Sequence, residues 1–337
     1  IVALYWQETQ MDDLQHGTRN KRGDWAPKRA LQISPLFTFP PNPIKILKWL
    51  PGYLLPWNVL FMVSAVVFWH YLMPDLATMQ HLAWGWVLRI LALNMAAIFV
   101  FYGVFELRLF IQRRQGTHFK YNAKFPDDTK SDVFLFKKQS LDSLVWCFAF
   151  GVPVWTAYQV GVFWVFANGY VPWVSFSDNL WYLLALGFAL PIWHELHFFC
   201  VHRLIHTPFL YKWVHSVHHN SVNPSPFSSL AMHPVEHILY FSSVLLHLII
   251  PSNPILALYQ MHFAGFGAMV GHIGFDKVEV GQGGFDTHAY SHYLHHKHFE
   301  VNYGDGLMPL DKLFGTWHDG TAQAEAQMEA RFKRRVA

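Results

Sequence analysis

Histidines gathered in three short stretches are the residues of this chain best suited to chemistry. Imidazoles stand three and four residues apart in each stretch: His202-x3-His206, His215-x2-His218-His219 and His292-x2-His295-His296. Residues at these spacings share a helix face, so each stretch is predicted to direct two or three imidazoles toward one place. Neutral imidazole is the commonest metal ligand, and eight donors exceed the four that one tetrahedral zinc ion takes. The spacing therefore predicts a binuclear metal site.

Isolated histidines call for a different interpretation. A lone histidine on an apolar face is usually a packed core or interface residue, and we interpret several in that way: His16, His70, His81, His118, His247 and His262. Others stand near the three stretches and either line the site entrance or, as we favour, sit at an interface: His194, His197, His237, His288 and His298. The packing interpretation fails for the three stretches themselves, because uncompensated imidazoles near a bilayer are costly.

The type of ligand narrows the choice of metal. An all-imidazole site suits iron, zinc, copper or nickel, and is too soft for magnesium or calcium. Two metals, each with several imidazoles and an open position, fit the number of donors. That arrangement is typical of an iron pair that activates oxygen, with zinc as the alternative. Because the ligands are neutral, a nearby carboxylate or a metal-bound hydroxide is expected to relieve the positive charge.

The composition indicates a membrane protein. Hydrophobic residues make up 53% of the 337 residues, aromatic residues 18% and charged residues only 14%. Fifteen Trp and thirty Phe suit a lipid-facing surface with aromatic belts. The net charge of +3 is too small to indicate nucleic acid as a partner. Cys147 and Cys200 both lie in apolar stretches, so neither a disulfide framework nor a cysteine zinc motif is expected.

Apolar stretches long enough to cross about 30 Å of hydrocarbon predict four transmembrane spans, at 57–73, 83–107, 143–166 and 180–201. A fifth apolar region, 238–271, is broken by Pro251-Ser-Asn-Pro254. Each of its pieces is near or below the spanning minimum. We therefore favour a re-entrant hairpin there, with a pair of true spans as the alternative.

Basic residues set the predicted orientation. Residues 1–56 carry seven Lys and Arg and the segment 108–140 carries eight, whereas the connections 74–82 and 167–179 carry none. The positive-inside rule then places the first two segments in the cytoplasm. Four spans return the chain to the cytoplasm near residue 202, so the metal site and both termini are predicted to lie on the cytoplasmic side.

These observations predict an all-α fold: an integral membrane helical bundle of about four transmembrane spans with a re-entrant helical hairpin, capped by a cytosolic, helical, histidine-rich metal domain. Four regions follow along the chain. They are a cytosolic or interfacial segment at 1–56, the transmembrane region at 57–201, the metal region at 202–320 with its hairpin at 238–271, and a basic tail at 321–337. The Pro-rich stretch 35–56 is expected to be irregular. The tail is predicted to be helical, either solvated or lying on the inner leaflet.

Several motifs follow one another in a fixed order between 180 and 318. They are Trp193-His-Glu-Leu-His-Phe-Phe-Cys-Val-His202-Arg-Leu-Ile-His206, Trp213-Val-His215-Ser-Val-His218-His219, His233-Pro-Val-Glu236, Gly271-His272-Ile-Gly, His292-Tyr-Leu-His295-His296-Lys-His-Phe-Glu-Val-Asn302-Tyr303-Gly304 and Asp311-Lys-Leu-Phe-Gly-Thr316. The ordered set resembles the fatty acid hydroxylase/sterol desaturase superfamily, whose members are membrane-bound histidine-box di-iron oxygenases. One box alone would be moderately specific, and the complete series is highly specific.

The resemblance implies a role for each matching residue. The metal ligands it implies are His202, His206, His215, His218, His219, His272, His292, His295 and His296. His233 is implied to be a further ligand, a group that supports a ligand, or a helix-orienting residue. Glu195 stands seven residues before His202, where the family often has Asp, and could accept the second ring N–H of a ligand and fix its tautomer. Glu236 is a further candidate for such support.

The function that follows is an integral-membrane oxygenase. It would use O2, two iron ions and external electrons to hydroxylate or desaturate an unactivated C–H bond of a lipid such as a fatty acyl chain or a sterol. A separate electron donor of cytochrome or ferredoxin type is expected, because the chain has no haem-attachment, iron–sulfur or dinucleotide motif. A di-zinc membrane hydrolase and a non-catalytic metal-binding or transport protein remain as alternatives. The boxes do not identify the lipid.

Overall fold

The computed structural model describes residues 12–336, which fold mainly as α-helices. Helix α1 and four longer helices come first: α1 Pro43–Leu54, α2 Trp57–Leu72, α3 Trp84–Ile111, α4 Gln139–Ala167 and α5 Phe176–Ile205. Five further helices follow: α6 at 208–219, α7 Pro234–Phe241, α8 Pro254–Gly271, α9 Tyr290–His298 and α10 Ala322–Val336. Residues 1–11 of the predicted N-terminal segment and residue 337 of the tail lie outside the described residues.

Short elements connect these helices. Single-turn helices lie at Asp13–His16, Leu76–Met79 and Leu310–Leu313. Segments of 3-10 helix lie at Pro35–Phe37, Pro126–Asp128, Leu135–Lys137, Pro226–Leu230 and Ser242–Leu248. The last of these extends α7, so the first arm of the region 238–271 is an α-helix that continues as a 3-10 segment.

Three helices, α3, α4 and α5, are each long and apolar enough to cross a membrane. They contain the predicted spans 83–107, 143–166 and 180–201. The predicted span 57–73 matches α2, which reaches that length only together with α1, across a bend of 48°. Apolar side chains of α3 such as Leu88 and Phe99 are exposed by more than half, as a lipid-facing surface requires. The helical part of the protein is therefore suited to a bilayer.

Helix α1 corrects the expectation of an irregular stretch over 35–56. Asn42 caps this helix, since its side-chain oxygen accepts the backbone N–H of Lys45 at 3.0 Å. Pro43 occupies the first turn, where a missing N–H removes no helical hydrogen bond. The prolines that suggested irregular structure thus include one that favours a helix start.

Helix α8 runs through the centre of the bundle and packs against α2, α4 and α5. The break at Pro251–Pro254 separates it from α7, as the sequence predicted. Gly265 of α8 lets the indole of Trp155 approach its backbone, because a Cβ there would lie 2.9 Å from that ring. The Tyr102 hydroxyl donates a hydrogen bond to the Gly265 carbonyl. Close contacts of this kind bury the helix that carries His272 at its C-terminal end.

Two small antiparallel hairpins depart from an entirely helical fold. One pairs β1, Gly17–Arg19, with β2, Trp25–Pro27, and the other pairs β3, Lys277–Val280, with β4, Gly283–Asp286. Gly281, with φ of +60°, begins the two-residue turn of the second hairpin. Each strand has only three or four residues, too few for alternating hydrophobicity to be visible in the sequence.

A polar network joins α3 to α4 inside the bundle. The fully buried Asn94 amide donates hydrogen bonds to Thr156 Oγ1 at 3.0 Å and to Gln159 Oε1 at 2.9 Å. Hydrogen bonds between helices in an apolar environment stabilise a bundle because their polar groups have few alternative partners there.

Replacing Asn94 with Leu should therefore destabilise the bundle. We expect the free energy of unfolding to fall by roughly 1–2 kcal/mol, because two interhelical hydrogen bonds are lost and Gln159 is left unsatisfied. Denaturant titration in mixed micelles measures the change, with Leu88→Ala on the lipid-facing side of α3 as the control. Equal stability of Asn94→Leu and the parent chain would show that the network contributes nothing.

Candidate metal centre

The structure brings all nine histidines of the predicted ligand set together. They form two adjacent groups, and in each group one ligand atom per residue lies within 4.8 Å of the others. Centre 1 consists of His202, His206, His215, His219 and His295, and centre 2 consists of His218, His272, His292 and His296. Eight of the nine are buried and His206 is partly buried. Their role as ligands stays a prediction, and their convergence is a structural observation.

The Nε2 atoms meet at short distances in both centres. In centre 1, the Nε2 atoms of His206, His219 and His295 lie 3.1–3.2 Å from one another. In centre 2, Nε2 of His272 lies 3.0–3.1 Å from the Nε2 atoms of the other three ligands.

The helical spacing explains how two centres arise from three stretches. His215 and His219, four residues apart on α6, share centre 1, whereas His218 between them belongs to centre 2. On α9 the pattern is reversed, since His292 and His296 share centre 2 and His295 belongs to centre 1. Successive residues are rotated by about 100° around a helix, so neighbours point apart while residues four apart point together. The expectation that each stretch addresses one place holds for His202 and His206, and it is corrected for the other two stretches.

Backbone carbonyls fix the rings of two ligands in centre 1. Nδ1 of His202 lies 2.7 Å from the carbonyl oxygen of Tyr303, and Nδ1 of His295 lies 2.7 Å from that of Val301. A carbonyl can only accept, so each Nδ1 carries the proton and each Nε2 presents a lone pair to the centre.

Two further ligands are oriented in the same way. His272 donates from Nδ1 to the Ala268 carbonyl at 2.9 Å, one turn earlier along α8. His215 donates from Nδ1 to Glu236 Oε1 at 2.8 Å, and both side chains are almost fully buried. A carboxylate behind a metal-bound imidazole holds the ring and makes it a stronger ligand. Glu236 thus has the geometry of the supporting role for which it was a candidate.

Glu195 does not take the role expected of it. Its Oε1 accepts the backbone N–H groups of Gly306 and Met308, each at 3.1 Å, and among the described contacts it meets no ligand imidazole. The expectation was wrong because seven residues correspond to about 10 Å along the helix, which places Glu195 beside the loop after α9. It holds that loop instead.

His233 lies outside both centres and acts on a helix terminus. Its Nδ1 accepts the backbone N–H of Val235 at 3.2 Å at the start of α7. Of the three roles implied for it, this geometry is that of the helix-orienting residue. Helix α7 carries Glu236, so His233 acts on the centre only through that helix.

The turn at Asn302–Gly304 serves the centre through its backbone. Asp311 accepts the N–H groups of Tyr303 at 2.9 Å and Gly304 at 2.8 Å. Asn302, with φ of +50°, accepts the His318 N–H at 2.7 Å. These bonds fix the carbonyls of Val301 and Tyr303 that orient two ligands, a role that side-chain types alone could not reveal.

Burial keeps the imidazoles neutral. Loss of water, and repulsion from neighbouring imidazoles if charged, lower the pKa of those outside the long helices well below the usual value; they are His215, His218, His219, His292, His295 and His296. A neutral imidazole offers its lone pair without first losing a proton.

These features fit metal ions. The lone pairs of His202, His215, His272 and His295 are fixed toward the centres, and converging lone pairs repel one another unless a cation lies among them. The nearest acidic groups are Glu236, behind His215, and the exposed Asp305, whose Oδ1 lies 4.0 Å from His292 Nδ1. Sequence reasoning missed Asp305. The neutral ligand set thus has two carboxylates close by, as charge compensation requires.

An apolar pocket opens beside both centres and encloses about 680 Å³, part of it open to the outside. One wall consists of imidazoles from both centres: His202, His215, His218, His272 and His292. The remaining lining is largely apolar and includes Phe198, Val201, Ile205, Met232 and Phe263. A further wall consists of small residues of α8, namely Gly267, Ala268 and Gly271.

A third group, His298, His318 and Glu325, joins α9 to α10. Nε2 of His318 lies 3.1 Å from Glu325 Oε2, and Nε2 of His298 lies 3.5 Å from the same atom. The Gly320 N–H donates to Nδ1 of His318 at 3.1 Å, so Nε2 carries the proton and donates it to Glu325. The group is therefore a hydrogen-bonded link, and it holds the C-terminal helix against the metal region.

Fold and geometry together define a helical protein suited to a membrane, with two adjacent all-histidine centres beside an apolar pocket. Residues 187–316 match the model of the fatty acid hydroxylase family. This segment contains all nine histidines of the two centres. This part of the chain is therefore similar to the fatty acid hydroxylase family.

Curated relatives with similar names match part of the chain as well. The chain is 30% identical over 139 residues to a Delta(7)-sterol 5(6)-desaturase of Gibberella zeae, covering 39% of this chain and 38% of the relative. It is 33% identical over 140 residues to a fatty acid hydroxylase of Mycosarcoma maydis, covering 39% and 34%. The matches thus span well under half the length of these relatives. No solved structure matches the chain.

Removing the carboxylate behind His215 should weaken metal binding. Glu236→Leu leaves Nδ1 of His215 without an acceptor, and we expect metal affinity to fall about 10–100-fold. Glu236→Gln keeps an acceptor and should lose less. Chelator competition followed by metal analysis measures the effect, with Glu325→Leu as the control outside both centres. Unchanged affinity in Glu236→Leu would refute the supporting role.

Proposed function

We propose that this protein is an integral-membrane enzyme that uses O2 and external electrons to oxidise an unactivated C–H bond of a lipid, by hydroxylation or desaturation. The observation that carries the proposal is the convergence of nine imidazoles, eight of them buried, in two adjacent centres, with five of the nine lining one apolar pocket. Two iron ions held in centres 1 and 2 would supply the reductive activation of O2. The names of the relatives, a sterol desaturase and a fatty acid hydroxylase, support both outcomes of the chemistry.

The residues around the centres hold the reacting groups and keep water out. Phe198, Met232 and Phe263 line the pocket with apolar surface, which suits a hydrocarbon segment and excludes bulk water. Hydrogen bonds at Nδ1 keep the rings of His202, His215, His272 and His295 from turning, so their Nε2 atoms would hold the metal ions beside the pocket. A C–H bond seated in the pocket would thus be held close to both centres.

A membrane lipid is the substrate class that best fits the pocket. The pocket is lined by residues in the C-terminal half of α5 and by α8, which packs against the other helices. An apolar substrate can reach such a site from the bilayer without crossing water. The fatty acyl chain and the sterol remain the two candidate types.

We infer that the centres face the cytoplasm and that the first arm of 238–271 belongs to a re-entrant hairpin. Basic residues of the segments 1–56 and 108–140 support this orientation. The hairpin is supported by the short α-helix and 3-10 segment of its first arm. Electrons would then arrive from a cytoplasmic donor of cytochrome or ferredoxin type.

Metal analysis and lipid analysis together test the proposal. The protein is purified without oxygen, its iron and zinc are counted, and lipids are compared in cells with and without it. Oxygen uptake with a lipid product that gains one oxygen atom, or loses two hydrogens, is the expected result. A zinc-loaded protein that consumes no oxygen and cleaves a lipid would point to the hydrolase instead.

Single histidine replacements should separate the chemistry from the fold. His218→Ala in centre 2 and His295→Ala in centre 1 should each abolish turnover and lower the metal content, because each removes a ligand. Membrane insertion should persist, since neither residue lies in a long helix. His247→Ala, a buried histidine bonded to Ser252 and Gln260 away from the centres, is the control. Retained turnover in either ligand variant would contradict the assignment.

Filling the pocket should block the substrate and spare the metals. Ala268 lines the pocket with its side chain, while its backbone carbonyl accepts the His272 hydrogen bond. Ala268→Phe should reduce kcat/KM for a long-chain lipid at least tenfold and leave the metal content near that of the parent chain. A metal-loaded Ala268→Phe protein with unchanged kinetics would show that substrate lies elsewhere.

A further inference from the structure

The pocket contains a histidine that neither centre uses. His194 of α5 lines the pocket and is 5% exposed. It lies two helical turns before His202, about 12 Å along the axis. The Phe198 ring stacks between them, 6.3 Å from the ring of His194 and 4.7 Å from that of His202. His194 therefore faces the same pocket as centre 1, but too far along the helix to share its ligand set.

The surroundings of His194 leave one ring nitrogen unsatisfied. Its Nδ1 is buried and has no hydrogen-bond partner among the described residues. The rings of Tyr240 and Phe263 pack against it edge-on, at 5.5 Å and 5.0 Å. A buried polar atom without a partner costs free energy, so a ligand that bonds to it would gain affinity.

Tyr240 completes the polar part of this region. Tyr240 also lines the pocket, and its hydroxyl donates to the Ala264 carbonyl at 2.8 Å, which leaves the Tyr240 oxygen able to accept a second hydrogen bond. The imidazole of His194 can donate or accept. A group that both donates and accepts would match the two residues, and a hydroxyl group does so whereas an ester or ketone oxygen only accepts.

We propose that His194, with Tyr240, binds a hydroxyl group of the lipid and thereby positions the reacting segment at the centres. The inference rests on the proposed function, because it takes the pocket to be the seat of a lipid. Two sources of the hydroxyl fit this chemistry, a long-chain alcohol and a sterol. His194 is a positioning residue in this account, since it lies away from the reacting atoms.

Binding of matched lipid pairs tests the role of His194. The pairs are hexadecanol with hexadecane, and a sterol with its 3-deoxy analogue, each measured at equilibrium on the full-length protein in lipid nanodiscs. The parent chain should prefer at least one alcohol over its deoxy partner by roughly tenfold, the contribution of a hydrogen bond to an otherwise unpaired group. The pair that shows the preference identifies the type of lipid.

Three variants give the comparison its controls. His194→Phe should remove the preference, and His194→Asn, which keeps a polar atom near the position of Nδ1, should restore part of it. His197→Phe is the matched control, because His197 lies on the same helix, does not line the pocket and bonds to Ser242 Oγ at 2.9 Å. It should keep the full preference.

Several results would overturn the inference: no preference in the parent chain, an unchanged preference in His194→Phe, or an equal loss in His194→Phe and His197→Phe. Oxidation assays on the same preparations separate this inference from the proposed function. Selective binding of an alcohol that is never oxidised would support recognition by His194 and contradict the proposed oxidation of a lipid. Oxidation of a lipid without any preference for the alcohol would support the proposed function and contradict the role of His194.

Discussion

The hydrogen bonds at Nδ1 of the clustered histidines are the constraint on which the rest of the site depends. A hydrogen bond at one ring nitrogen fixes the orientation of the imidazole and the nitrogen that carries the proton. In this chain His202, His215, His272 and His295 are held by a carbonyl or a carboxylate at 2.7–2.9 Å. Each bond fixes the tautomer and aims an Nε2 lone pair at a centre. Without them, nine imidazoles in one region would be a polar cluster of no defined geometry.

Distant parts of the fold supply these acceptors. The carbonyls of Val301 and Tyr303 belong to the turn that Asp311 holds, and Ala268 belongs to the central helix α8. Glu236 comes from α7, and Glu195 fixes the loop at 306–308 from α5. The long apolar helices bury this assembly, and burial keeps the imidazoles neutral. Loops, hairpin and bundle therefore act together on one site.

The sequence was most informative where a physical rule acts over a few residues. Helical spacing and the ordered motifs predicted all nine histidines, and length with hydropathy predicted the helices α2 to α5. The prediction that Glu195 supports a ligand histidine failed, because two residues on the same helix face can still lie about 10 Å apart along the axis. The split of the second and third stretches between the two centres follows from the rotation per residue. Predicting it also requires the positions of the partner helices, which the sequence does not give. The backbone acceptors and Asp305 could not be predicted, since they depend on how the loop after α9 folds back.

The short strands were missed for a related reason, because three or four residues carry too little pattern. The Pro-rich start of α1 was misjudged because proline both ends and begins helices. The most direct measurement of the central claim is native mass spectrometry of the protein purified without oxygen, which counts metal ions on each intact chain. This account predicts two ions per chain, and fewer when His215 or His272 is replaced. A chain that carries none or one, or a count unchanged by those replacements, would contradict it.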